Sequence, residues 1–202
     1  MMAVVDRIVF SDKSNTIVAE SYFSFDVVKR ASVPLPGFVT QVSDFGKAYT
    51  QKKYLVNALH AIVAWYGFCR GHSYINHAMQ DKSVNTLARN AAEELTTLLA
   101  HKYPDVPPTQ FITFAALALQ RFSAAHLDDP ILRVGRNALA KLGKNERLME
   151  PVTYAKTHGL PYDALLEGAS YGLLYHAETE HDPQGEQYES LISYIENIGA
   201  EK

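Results

Sequence analysis

From Ser43 to Gly71, apolar and aromatic residues recur with helical spacing: Tyr49, Leu55, Val56, Leu59, Ile62, Val63 and Tyr66. At 3.6 residues per turn these positions share one face, so the pattern predicts a long, deeply buried helix with Ser43, followed by Asp44, as its N-cap. The same periodicity predicts helices over about 83–103, 108–125, 146–158, 161–176 and 184–198, interrupted at Pro104, Pro107, Pro108, Gly159 and Pro183. Residues 4–30 follow another pattern. The β-branched and aromatic runs VVDRIVF and TIVAESYFSFDVV flank the turn-like SDKSN, which predicts two extended segments that pair with each other or join a neighbouring sheet. The Pro- and Gly-rich SVPLPGF at 32–38 can continue neither a helix nor a central strand and reads as a connector. The expected fold is therefore mainly α with a small N-terminal β element. Extended segments and connector occupy 1–42, and a helical domain occupies 43–202.

Composition changes this picture little but excludes several functions. A chain of 202 residues with 47% hydrophobic and 20% charged residues has the make-up of a globular domain with an ample core. The net charge of −3, without a basic run interleaved with aromatics, offers nothing to nucleic acid. The longest apolar stretch, Ala58–Phe68, is interrupted by His60 and is far shorter than the roughly 20 residues of a membrane span. The start, MMAVVDRIVF, lacks the basic-then-apolar layout of a secretory signal. A single cysteine, Cys69, leaves no internal disulfide and no multi-cysteine zinc site, which fits a reducing cytoplasm. Its apolar neighbourhood reads as that of a buried, unreactive thiol.

Candidate chemistry concentrates in AYTQKKYLVNALHAIVAWYG, which places Lys52, Asn57 and His60 on one helix. At about 100° per residue they lie at about 0°, 140° and 80° around the axis, an arc that can border one concave site. Spacing alone leaves the lysine open, because Lys53 with Asn57 and His60 forms a narrower stripe. A second concentration is the basic block RVGRNALAKLGKNERLMEP at 133–151. A third, His176, Glu178, Glu180, His181 and Asp182, has metal-like composition, but its histidines are five apart instead of four and it runs into Pro183, so a solvated helix end is the plainer reading.

The segment QKKYLVNALHA resembles the signature of the long-chain polyol (mannitol) dehydrogenases, in which lysine, asparagine and histidine recur at this spacing, with Lys52 at the matching lysine. Three further stretches continue the likeness in order. VDRI at 5–8 resembles the family's interdomain segment, and RVGRNALAKLGKNERLMEP and HGLPYDALLEG (158–168) resemble its mannitol-1-phosphate 5-dehydrogenase branch. The resemblance implies the C-terminal, substrate-binding and catalytic domain of an NAD-dependent, metal-independent oxidoreductase interconverting mannitol 1-phosphate and fructose 6-phosphate. It assigns Lys52 as general base, Asn57 as donor to the oxygen that gathers charge and His60 as a hydroxyl contact. Arg133 and Lys141, with Arg136 beside them, become substrate contacts suited to a phosphate. Two positions depart from the family pattern. Ala58 and Leu59 replace smaller or hydroxylated residues, which would make the pocket floor bulkier, and Ala138 stands where proline is usual.

None of the eleven glycines forms the G-x-G-x-x-G of a dinucleotide fold, so no Rossmann domain and no cofactor residue is expected in this chain. NAD would be held by an N-terminal nucleotide-binding domain, in cis or in trans, and Met1 stands almost immediately before the interdomain segment, as in a piece of a longer protein or a separately encoded half. Two other functions fit the same residues: a non-catalytic binding or interaction module descended from such a domain, and a metal hydrolase built on the 176–182 cluster. The expected partners are a polyol or sugar phosphate and the nucleotide-binding domain.

Overall fold

A computed structural model describes residues 2–4, 8–10, 17–19, 24–28, 39–42, 44–125, 128–179 and 185–200. The chain falls into two compact units, residues 1–50 and 51–202. Among the described residues of the first, five short strands stand where two extended segments were expected. They are β1 (Met2–Val4), β2 (Ile8–Phe10), β3 (Ile17–Ala19), β4 (Ser24–Val28) and β5 (Val39–Val42). β2 and β3 form an antiparallel pair, and β4 is central in a second sheet, antiparallel to β1 and parallel to β5 with Phe25 opposite Val39. The connector at 32–38 and most of the VDRI segment lie outside the described residues.

The long helix expected from Ser43 is present but not uniform. It runs as α1 (Phe45–Lys52), a π turn (Lys53–Ala58) and α2 (Leu59–Cys69). Ser43 lies outside the described residues, and Asp44 accepts the Lys47 amide at 3.0 Å, as a capping side chain does. Beyond it come α3 (Ile75–Ala78), α4 (Lys82–Lys102), α5 (Pro108–Phe122), α6 (Ile131–Gly135), α7 (Ala138–Lys141), α8 (Met149–Thr157), α9 (Asp163–Thr179) and α10 (Gly185–Ala200). The mainly helical architecture therefore holds among the described residues, with no doubly wound sheet.

α2 is the axis of the second unit. Seven of its eleven residues are buried, including Trp65, which is wholly inaccessible. Its closest neighbour is α9, and glycines allow the approach: a Cβ on Gly168 would stand 2.6 Å from Ile62, and one on Gly172 would stand 2.8 Å from the Trp65 ring. Both lie below van der Waals contact, so any larger residue would push the helices apart. The start of α9 is held by a buried acid. Glu94 of α4 accepts the amides of Ala164 and Leu165 at 2.8 and 2.9 Å, satisfying two donors that the first helical turn leaves unpaired.

Candidate functional site

Asn57 and His60 stand on either side of the junction between the π turn and α2, and their setting follows from it. A π turn closes over five residues instead of four, which carries Asn57 back towards the line of Lys52 and narrows the arc that an α-helix would have opened between them. The same turn directs Lys53 elsewhere. Its Nζ donates to Glu150 and to the Asn145 carbonyl, both at 2.7 Å. Lys53 is thus engaged with Glu150 and the Asn145 carbonyl.

The basic block folds against α2 through backbone contacts. The buried Trp65 indole donates to the Gly135 carbonyl at 2.9 Å, and the Tyr175 ring lies so close to Gly135 that a Cβ there would stand 2.6 Å away. The end of α6 is thus pinned, and the chain turns at Asn137, whose left-handed φ of 57° an asparagine tolerates better than most residues. Lys141 donates to the Val134 carbonyl at 2.5 Å and ties α7 back onto α6. Ala138, where the family usually carries proline, is fully buried.

These elements enclose a cavity of about 310 Å³. Asn57, His60, Arg133, Arg136 and Lys141 all line it, so five of the six expected site residues converge. Lys52 is not among the lining residues. It is the last residue of α1, partly exposed, one position before the π turn. Asn137 and Arg147 line the cavity as well, and the sequence reading did not single them out. Arg147 belongs to the basic block 133–151. Its Nε is buried without a hydrogen-bond partner among the described residues, and Glu146 lies 3.9 Å from its Nη2. No carboxylate is among the cavity's lining residues, whereas four lining residues carry fixed positive charge.

Behind the lining stands Asp129, also unforeseen. Arg133 grips it with Nη2 at 2.6 Å from both oxygens and with Nε at 2.9 Å from Oδ1, and His60 Nε2 lies 3.5 Å from Oδ2. The His60 ring stacks on Phe122, with centroids 4.5 Å apart and planes 11° from parallel. Burial pushes its imidazole down from 6.5 to about 4, with Asp129 pulling upward and Arg133, Lys141 and Arg121 pushing further down. His60 is therefore neutral near pH 7.

That displacement makes stability depend on pH. Below about 6.5 the unfolded chain takes up a proton on His60 that the folded chain refuses, so stability falls as pH drops from about 6.5 to about 4, where the folded chain accepts it too. The full effect is about 3 kcal/mol. Urea unfolding at about pH 7 and about pH 4.5 is expected to show the natural chain losing about 2–3 kcal/mol more than His60→Gln. Equal losses would remove His60 as the cause.

Other expectations need revision. Leu59 and Ala58 are wholly buried and do not line the cavity, so their bulk enters the core and not the pocket floor. Cys69 ends α2 exposed, not buried as expected, although burial of its sulfur and Glu178 raise its pKa and keep it a poor nucleophile. Of the 176–182 cluster, His176 is buried within α9, while Glu180, His181 and Asp182 lie outside the described residues. Among the described residues no group of three or more His, Cys, Asp or Glu could hold a metal ion, and no helix is long and apolar enough to cross a membrane. The sequence contains no glycine-rich phosphate turn of the G-x-G-x-x-G kind.

Fold and site together define a helical domain built around a cation-lined cavity, and the chain belongs to the mannitol dehydrogenase C-terminal domain family, whose profile matches residues 47–199. It is 30% identical over 206 residues to the mannitol-1-phosphate 5-dehydrogenase of Caldanaerobacter subterraneus subsp. tengcongensis, an alignment covering 98% of this chain and 52% of that protein. The chain therefore spans about half the length of that relative. Its fold is similar to that of Pseudomonas fluorescens mannitol 2-dehydrogenase, solved as a ternary complex with NAD and D-mannitol. That match has a TM-score of 0.63 at 17% identity and covers 88% of this chain and 37% of that one.

Proposed function

We propose that this chain is the substrate-binding and acid–base half of a metal-independent polyol dehydrogenase whose substrate is mannitol 1-phosphate, with fructose 6-phosphate as the product. The observation that carries the reading is the cavity itself, with Arg133, Arg136, Lys141 and Arg147 around Asn57 and His60 and no carboxylate in the lining. Such a site favours an anion and disfavours a neutral polyol, since bringing several cations together is repaid only when a charged group joins them. The buried Nε of Arg147 supports it, because a donor without a protein partner is what a ligand oxygen can satisfy. A volume of about 310 Å³ suits a ligand of six carbons or so.

In this reading the hydroxyl proton of the reacting carbon passes to Lys52 Nζ as the carbonyl forms. The Asn57 amide donates to the oxygen as negative charge gathers there, and neutral His60 exchanges a hydrogen bond with an adjacent hydroxyl. The phosphate lies between Arg136, Arg147 and Lys141. A separate nucleotide-binding domain, in cis or in trans, would hold NAD, which would supply the acceptor for the hydride leaving the same carbon.

Calorimetry on the 202-residue chain tests the reading. Mannitol 1-phosphate is expected to bind at least about tenfold more tightly than mannitol, the effect of one charge-assisted contact or more, and NAD is expected not to bind. Equal affinity for the two polyols would remove the phosphate assignment, and micromolar binding of NAD would mean that a nucleotide site lies within this chain.

A further inference from the structure

The side chain of Asp129 reaches both a cavity cation and the cavity histidine, and its backbone is held on both sides. The Ile75 amide donates to the Asp129 carbonyl at 3.0 Å, and two residues later the Ile131 amide donates to the Ser73 carbonyl at 2.9 Å. Its neighbour Asp128 accepts from the buried Asn76 side chain at 3.3 Å. The carboxylate is thus fixed before any ligand arrives, and the bidentate grip of Arg133 fixes its orientation.

His60 faces this carboxylate with Nε2, while Phe122 against its ring face fixes the plane. A neutral imidazole carries one hydrogen, and a carboxylate only accepts, so the hydrogen goes where the carboxylate can receive it. We infer that Asp129 is a positioning residue that holds His60 as the tautomer protonated on Nε2, leaving Nδ1 bare as a hydrogen-bond acceptor. A polyol hydroxyl is a donor that such a nitrogen can receive.

The use of Nδ1 by a hydroxyl rests on the function proposed above, but the tautomer does not, and it can be measured without turnover. Long-range proton–nitrogen spectra of the histidine-labelled 202-residue chain near pH 7, with His60 assigned by its loss in His60→Gln, report both ring nitrogens. The expected result is one tautomer, with a protonated Nε2 and a bare Nδ1. In Asp129→Asn, whose amide can donate as well as accept, this pattern should give way to a mixture or to the opposite tautomer. In Arg133→Gln, which keeps the carboxylate, Nε2–H should persist. A natural chain with the hydrogen on Nδ1, or a folded Asp129→Asn variant with an unchanged pattern, would overturn the inference. The spectrum of the natural chain decides it even if Asp129→Asn does not fold.

Discussion

In an active enzyme joining this chain to its nucleotide-binding half, Lys52→Ala is expected to lower turnover by about a hundredfold to ten-thousandfold, the usual contribution of a positioned general base. The loss should fall on kcat and on kcat/KM alike, because in the proposed mechanism the lysine acts on a proton that moves only in the transition state. Lys53→Ala is the matched control. Lys53 is already paired with Glu150 and the Asn145 carbonyl, so its removal should affect stability more than rate. Normal turnover in Lys52→Ala, or a larger kinetic loss in Lys53→Ala, would sink the proposed division between the two lysines.

Asn57→Ala is expected to lower kcat by about a hundredfold to a thousandfold, as loss of one donor to a developing oxyanion does, while KM changes little. Combined with Lys52→Ala, the effect should be less than the product of the two, since proton removal and charge stabilisation belong to one event at one oxygen. Rapid-quench measurement of the chemical step separates this from slow product release. An Asn57→Ala enzyme impaired only in KM would make Asn57 a binding residue and leave the oxygen without its assigned donor.

The elements with a continuous apolar stripe were legible in the sequence. α4, α5, α9 and α10 fall close to where periodicity put them, because each is long enough for the stripe to repeat several times. The four- and five-residue helices α3, α6 and α7 were not, since a single turn contains no period to read. The π turn was invisible for a related reason: the stripe through Leu55, Leu59 and Ile62 survives one wide turn, while the angular position of Lys52 relative to Asn57 does not. At the site, the pairing of Asn57 and His60 with Arg133, Arg136 and Lys141 was legible through family resemblance alone, because nothing in their spacing brings residues over seventy positions apart together. Asp129 and Arg147 lay beyond that signal. Asp129 is set apart by its burial and Arg147 by a buried Nε, and neither property shows in the order of residues.

The bond between the Trp65 indole and the Gly135 carbonyl bears on how such a site can change its ligand. The block's path is anchored through the main-chain oxygen of Gly135, where Tyr175 leaves no room for a larger residue, while Arg136 is an exposed side chain on that anchored loop. Arg136 can therefore be exchanged for a neutral or acidic residue without loss of that anchor, whereas the Lys141 side chain itself ties α7 to α6. Under the proposed function, the charge offered to a ligand at Arg136 is thus separable from the integrity of the loop that presents it.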